Sequence, residues 1–90
     1  MRVQIRIFGQ VQGVFFRSHA KEVADRLGLV GWVKNREDGS VELEASGNKD
    51  KLEQLVAWCR KGSSSAIVGE VEVKWEASSR DFKSFEIIYE

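Results

Sequence analysis

RVQIRIFGQVQGVFFRSHAKEVADRLG, residues 2–28, changes its hydrophobic period part-way along, and that change decides the fold. From Arg2 to Phe8 the period is two: Val3, Ile5 and Ile7 fall on one side, Arg2, Gln4 and Arg6 on the other, the pattern of a half-buried strand. Gly9-Gln10-Val11-Gln12-Gly13 interrupts it with a loop whose two glycines can hold a positive φ. From Phe16 the spacing becomes helical, with Phe16, Ala20, Val23, Ala24 and Leu27 on one amphipathic stripe. Gly28 stands where a glycine just past the last turn stops a helix.

Outward from this strand–loop–helix unit, residues 29–35 and 40–46 read as two further strands joined by the hairpin signal Asp38-Gly39. In the later strand Val41, Leu43 and Ala45 are expected to face inward, with Ser40, Glu42 and Glu44 outward. Asn48 is a helix cap, and Leu52, Leu55, Val56 and Cys59 form a second helical stripe ended by Gly62. Ser63-Ser64-Ser65 is a polar loop. Residues 67–75 alternate again, with Val71, Val73 and Trp75 in and Glu70, Glu72 and Lys74 out. Asp81-Phe82 leads into a short last strand carrying Phe85, Ile87 and Tyr89. The order predicts an α+β, ferredoxin-like βαββαβ two-layer sandwich: an antiparallel sheet, two helices on one face, and a short extra C-terminal strand. Such a fold hosts many functions and names none.

Ninety residues suit a single domain over 1–90, and 42% hydrophobic with 31% charged residues is ordinary globular composition. No apolar run approaches the roughly 20 residues that span a bilayer, and the alternating N-terminus lacks a signal-peptide core, so a cytoplasmic protein without membrane contact is expected. A lone cysteine, Cys59, and a lone histidine, His19, leave no internal disulfide and no cysteine- or histidine-based metal cluster. Fourteen basic residues balance fourteen acidic ones, which argues against a nucleic-acid binder. The balance hides an asymmetry: seven basic residues and two acidic ones precede Glu37, while seven basic and twelve acidic residues follow Arg36. A basic first third is compatible with an anion site.

Two segments carry candidate chemistry. Gly9-Gln10-Val11-Gln12-Gly13-Val14-Phe15-Phe16-Arg17 joins a strand to a helix, where loop amides and the helix N-terminus both favour a phosphate-sized anion. Arg17 would add a planar fork that matches phosphate oxygens. The bland alternative is a plain turn followed by a surface arginine; the Gly-Lys-Ser/Thr ending of a P-loop is missing. The second segment, Gly31-Trp32-Val33-Lys34-Asn35-Arg36-Glu37-Asp38-Gly39-Ser40-Val41, is closed by Gly47 and taken alone is a hairpin with an asparagine near its turn. Together the two resemble the paired signatures of the acylphosphatase family, Gly-x-Val-Gln-Gly-Val-x-Phe-Arg and then Gly-aromatic-Val-Lys-Asn, three residues, Gly-x-Val, five residues, Gly. Every fixed position is present in order, and the element order is similar over essentially the whole chain.

That resemblance implies an enzyme that hydrolyses acyl phosphates to a carboxylate and inorganic phosphate without metal or other cofactor. It implies that Arg17, with the loop backbone of Gln12, Gly13, Val14, Phe15 and Phe16, binds the phosphoryl group, and that Asn35 positions the attacking water. The chemistry suits so few groups. A carboxylate leaving group, with a pKa of about 4, needs no general acid near neutral pH. Phosphoryl transfer is chiefly a matter of positioning and charge stabilisation. Asn35 is no base, so the water's proton is expected to pass to a substrate phosphate oxygen. The sequence departs from the family pattern in two places: it has no proline after Gly62, and Ala20 stands where a threonine is frequent. A monomer acting on a small acyl phosphate, without nucleic acid, is the expectation. The competing reading is a non-catalytic anion-binding or carrier-interaction module on the same fold. An RNA-binding sheet is rejected, because the third strand offers Ser40, Glu42 and Glu44 where stacking aromatics are needed. His19 is expected to be a helix residue rather than a base, and Cys59 a core residue rather than a nucleophile. Trp32 and Trp75 are expected to pack, Trp32 near enough to Asn35 to wall the site; Trp58 lies off the apolar stripe, against a loop or a partner.

Overall fold

The computed structural model describes residues 1–89. Seven elements follow in order: β1 (Arg2–Gln10), α1 (Phe16–Arg26), β2 (Val30–Asn35), β3 (Val41–Ser46), α2 (Lys49–Lys61), β4 (Ile67–Glu76) and β5 (Phe85–Ile88). One sheet of order β4-β1-β3-β2-β5 holds all five strands. The first four pair antiparallel, whereas β5 joins β2 in parallel, so the extra strand makes the sheet mixed. No helix among the described residues is long and apolar enough to cross a membrane.

The period-two pattern of β1 has its expected consequence. Val3, Ile5 and Ile7 are buried beside Val41, Leu43 and Ala45 of β3, under Ala20 and Ala24 of α1 and Leu52, Leu55 and Cys59 of α2. Sealing a Leu or Ile this fully contributes about 1.5–3 kcal/mol. α2 begins where Asn48 Oδ1 accepts the Asp50 amide at 2.9 Å, and Arg60 and Lys61 complement its C-terminal dipole. β1 runs two residues further than its alternation predicts; its register against β4 shifts between Phe8 and Gly9, and the bulge carries the strand through Gly9 and Gln10.

The sheet's other face departs from expectation. Ser40 and Glu44 lie on it but are buried, 1% and 5% exposed. Ser40 is enclosed by Asp38, Arg6 and Gln12, whereas the cover over Glu44 comes from the connection between β4 and β5, which must cross from one edge of the sheet to the other. On the way the N-terminal ammonium donates to Ser79 Oγ at 2.6 Å, and the Arg80 amide donates to Ser46 Oγ at 3.2 Å. The Arg80 guanidinium reaches Glu44 at 3.4 Å, Arg2 lies 4.0 Å from the same carboxylate, and Gln4 Nε2 donates to its other oxygen at 3.2 Å. Trp75, expected to face inward, is 38% exposed, because β4 is an edge strand with a neighbour on one side only. Tyr89 falls just beyond β5 and is exposed.

Candidate active site

β1 and β2 each run antiparallel to β3, so they point the same way, and β5 is parallel to β2. The C-terminal ends of these three strands therefore open on one edge of the sheet, where residues 11–15 lead into the N-terminus of α1. Side-chain alternation then selects the face. Asn35 has the parity of Val33, which is buried under the helices, and Tyr89 has the parity of Phe85 and Ile87. Lys21 holds α1 to this strand pair, its Nζ donating to the Phe85 carbonyl at 2.8 Å.

Between β1 and α1 the backbone enters the left-handed region twice, at Gly13 (φ 75°) and at Phe15 (φ 62°). For Gly13 this is free of steric cost; for Phe15 it costs about 1–2 kcal/mol, and its ring, 75% exposed, recovers little by packing. Strain held without a packing reward marks a loop shaped for its backbone amides. Phe15 is the cap residue of α1, and no side chain caps the helix there. The first turn also contains no acidic residue, so nothing in it competes with an incoming anion.

Arg17 and Asn35 both line a cavity of about 270 Å³, together with Val11, Gly13, Phe15 and Tyr89. The Arg17 guanidinium carbon sits 4.9 Å from the centre of the Tyr89 ring, an orientation that leaves its N–H groups to other partners. Asn35 Oδ1 is buried and has no hydrogen-bond partner among the described residues. A buried acceptor of this kind calls for a donor, and a water molecule serves. The two motifs are physically tied by Gln12, whose Nε2 donates to the Arg36 carbonyl at 2.7 Å and the Ser40 carbonyl at 2.8 Å. The turn is itself braced: Asp38 accepts from the Ser40 hydroxyl at 2.6 Å and amide at 2.9 Å, and Arg6 donates to its other oxygen at 2.7 Å. The Ser40 hydrogen bonds, then the Arg6 and Arg36 charges, hold the Asp38 carboxyl below its ordinary pKa of 3.8.

The sequence-predicted residues thus divide. Gly13, Phe15, Arg17 and Asn35 meet around one cavity, while Gln12 acts through its side chain on the neighbouring turn. Val14 is half-buried against the core, and Phe16, though it borders the cavity, is 1% exposed with its ring 5.0 Å from that of Trp58. Trp58 therefore packs on α1, beside a groove that Gly62, Ser63, Ser64 and Ala66 also line. Trp32 does not wall the cavity; alternation puts it on the opposite face, where Lys34 Nζ lies 5.4 Å from its ring centre. His19 lies outside the cavity, in a groove beside Trp58, and burial pushes the Cys59 thiol up to about 12. Among the described residues no three His, Cys, Asp or Glu side chains gather as a metal site. Tyr89 was not legible as a site residue, since it is distant in sequence from both motifs and only the β2–β5 pairing brings it there.

A family model for acylphosphatases matches residues 3–87. The chain belongs to the acylphosphatase family. It is 46% identical over 86 residues to the acylphosphatase of Anaeromyxobacter sp. (strain Fw109-5), covering 96% of this chain and 92% of that one. The crystal structure of the acylphosphatase from Bacillus subtilis superposes with a TM-score of 0.94 at 38% identity, covering 98% of both chains. The fold also recurs inside a longer protein: full-length HypF, crystallised in a phosphate- and nucleotide-bound form, matches with a TM-score of 0.85 at 27% identity, over 98% of this chain but 12% of that one. The acylphosphatase family is an enzyme family, and the two quoted signatures of this chain both fall within the matched range.

Proposed function

We propose that this acylphosphatase hydrolyses acyl phosphates with Arg17 and the 12–17 loop backbone holding the phosphoryl group and Asn35 positioning the attacking water. The observation that carries the reading is the convergence of Arg17, the left-handed Gly13 and Phe15, and the unpartnered, buried Asn35 Oδ1 on a single cavity. In this reading Arg17 and the amides stabilise charge on the equatorial phosphoryl oxygens, donors fixed before the reaction begins. Asn35 Oδ1 accepts from the water and sets its line of attack. The proton passes to a phosphate oxygen, and the carboxylate departs unprotonated. The pairing of Arg17 with Asn35 favours an enzyme over a carrier-interaction module, because anion binding alone has no use for a water-orienting amide. A charge-rich, cytoplasmic monomer acting without metal is the setting we propose.

The test separates the two residues. Arg17→Ala should weaken both inorganic phosphate binding and turnover of benzoyl phosphate, and Arg17→Lys should restore little, since a point charge cannot reproduce the fork. Asn35→Ala should lower kcat by about a hundredfold or more while phosphate affinity stays near wild type. All assays run in chelator, with folding checked by circular dichroism. If folded Asn35→Ala loses phosphate binding, Asn35 belongs to the cradle; if its kcat is unchanged, the second motif is only a hairpin.

A further inference from the structure

Few large apolar side chains among the described residues are exposed, and two of them, Phe15 and Tyr89, are each 75% exposed and line the Arg17–Asn35 cavity. Their positions have different origins. Phe15 occupies the variable place of the first motif and is held outward by its left-handed backbone. Tyr89 arrives from the end of β5 and carries the Arg17 guanidinium over its ring. Neither ring carries a charge for phosphate, and neither is buried in the core. Exposed aromatic surface at the mouth of a polar cavity marks a binding surface for an apolar group.

We propose that Phe15 and Tyr89 form the subsite for the acyl substituent and make this enzyme selective for aromatic and other bulky apolar acyl phosphates over acetyl phosphate. The inference rests on the placement of the phosphoryl group at Arg17. Once the phosphoryl group is there, the rest of the substrate must extend from the cavity, whose apolar lining includes Val11, Phe15, Phe16, Ile87 and Tyr89. A methyl group is too small to cover a ring, whereas a benzoyl ring stacks on one or both. Binding gained at this distance from the reacting bond serves to hold the anhydride in line with the water on Asn35.

The experiment compares kcat/KM for benzoyl phosphate and acetyl phosphate in wild type, Tyr89→Ala and Phe15→Asn. Asparagine is chosen because it tolerates the left-handed conformation that alanine resists. Wild type should prefer benzoyl phosphate by about tenfold or more. Each variant should lower that ratio by about threefold to tenfold, the range of one aromatic contact. Tyr89→Phe and Phe15→Tyr should keep it. Loosening of Arg17 in Tyr89→Ala acts on both substrates and divides out of the ratio; inhibition by inorganic phosphate, measured alongside, reports it separately. Turnover of both substrates with no wild-type preference, or with a ratio unmoved in both variants, overturns the subsite and leaves the phosphoryl site standing. No turnover of either substrate by folded wild type overturns the phosphoryl site as well.

Discussion

Gly31→Ala is expected to remove much of this protein's stability, and the reason is a single backbone contact. Gly31 has φ 151°, and a Cβ built on it would stand 1.9 Å from the Glu44 carbonyl oxygen, 2.8 Å from the Glu44 carbonyl carbon and 2.9 Å from Ala45 Cα. All three are backbone atoms of β3, so no rotamer change relieves the overlap; β2 must move away from the strand it pairs with. The conformation alone costs about 1–3 kcal/mol in any residue with a side chain. Forcing a methyl into a closed contact adds about 1–3 kcal/mol. The sum, about 2–6 kcal/mol, compares with a total of about 4–13 kcal/mol for a domain of this length. Gly39 supplies the control, with a similarly positive φ of 91° and nothing within 4 Å of its added Cβ. Gly39→Ala should therefore cost only the conformational part, about 1–2 kcal/mol. Urea unfolding followed by circular dichroism gives both numbers, and the Gly31 variant should melt about 10–30 °C below wild type. Equal losses in the two variants would refute the close approach of β2 to β3 as the cause.

Gln12→Ala deletes both hydrogen bonds between the phosphate loop and the turn after Asn35, and should lower kcat by about tenfold or more with a smaller change in phosphate affinity, measured by steady-state kinetics beside phosphate titration. Asp38 titrates below its ordinary value in the folded protein, so its contribution is fully present above pH 3.8 and is lost as pH falls through the lower folded value. The stability difference between wild type and Asp38→Asn should then shrink below about pH 4 in denaturant titrations and stay constant from pH 5 to 8. Cys59, buried with its thiol at about 12, should resist iodoacetamide in the native state and react only on unfolding, and a Cys59→Ala enzyme that still folds should keep its kcat. His19→Ala should likewise keep most activity; a hundredfold loss in kcat at unchanged stability would mean that a base is missing from the mechanism.

Periodicity in the sequence determined the seven elements and their order, because one-sided burial imposes a period of two on strands and 3.6 on helices whatever surrounds them. The same local logic placed the glycine loop before Arg17 and Asn35 ahead of a turn, and the paired motifs identified the family. Tertiary structure decided what lies outside that logic. Glu44 alternates as an exposed residue, yet Arg80 arrives from a crossover more than thirty residues later and buries it. Trp32 is three residues from Asn35 but on the opposite face, since an odd offset in a strand reverses side-chain direction. Tyr89 reaches Arg17 only because β5 pairs in parallel with β2, a choice set by the path of the β4–β5 connection across the sheet. The Gln12 strap has the same origin: its acceptors are backbone carbonyls of Arg36 and Ser40, and a carbonyl leaves no trace in side-chain pattern. Local pattern records which face a residue shows, whereas contacts between distant segments depend on where the chain returns.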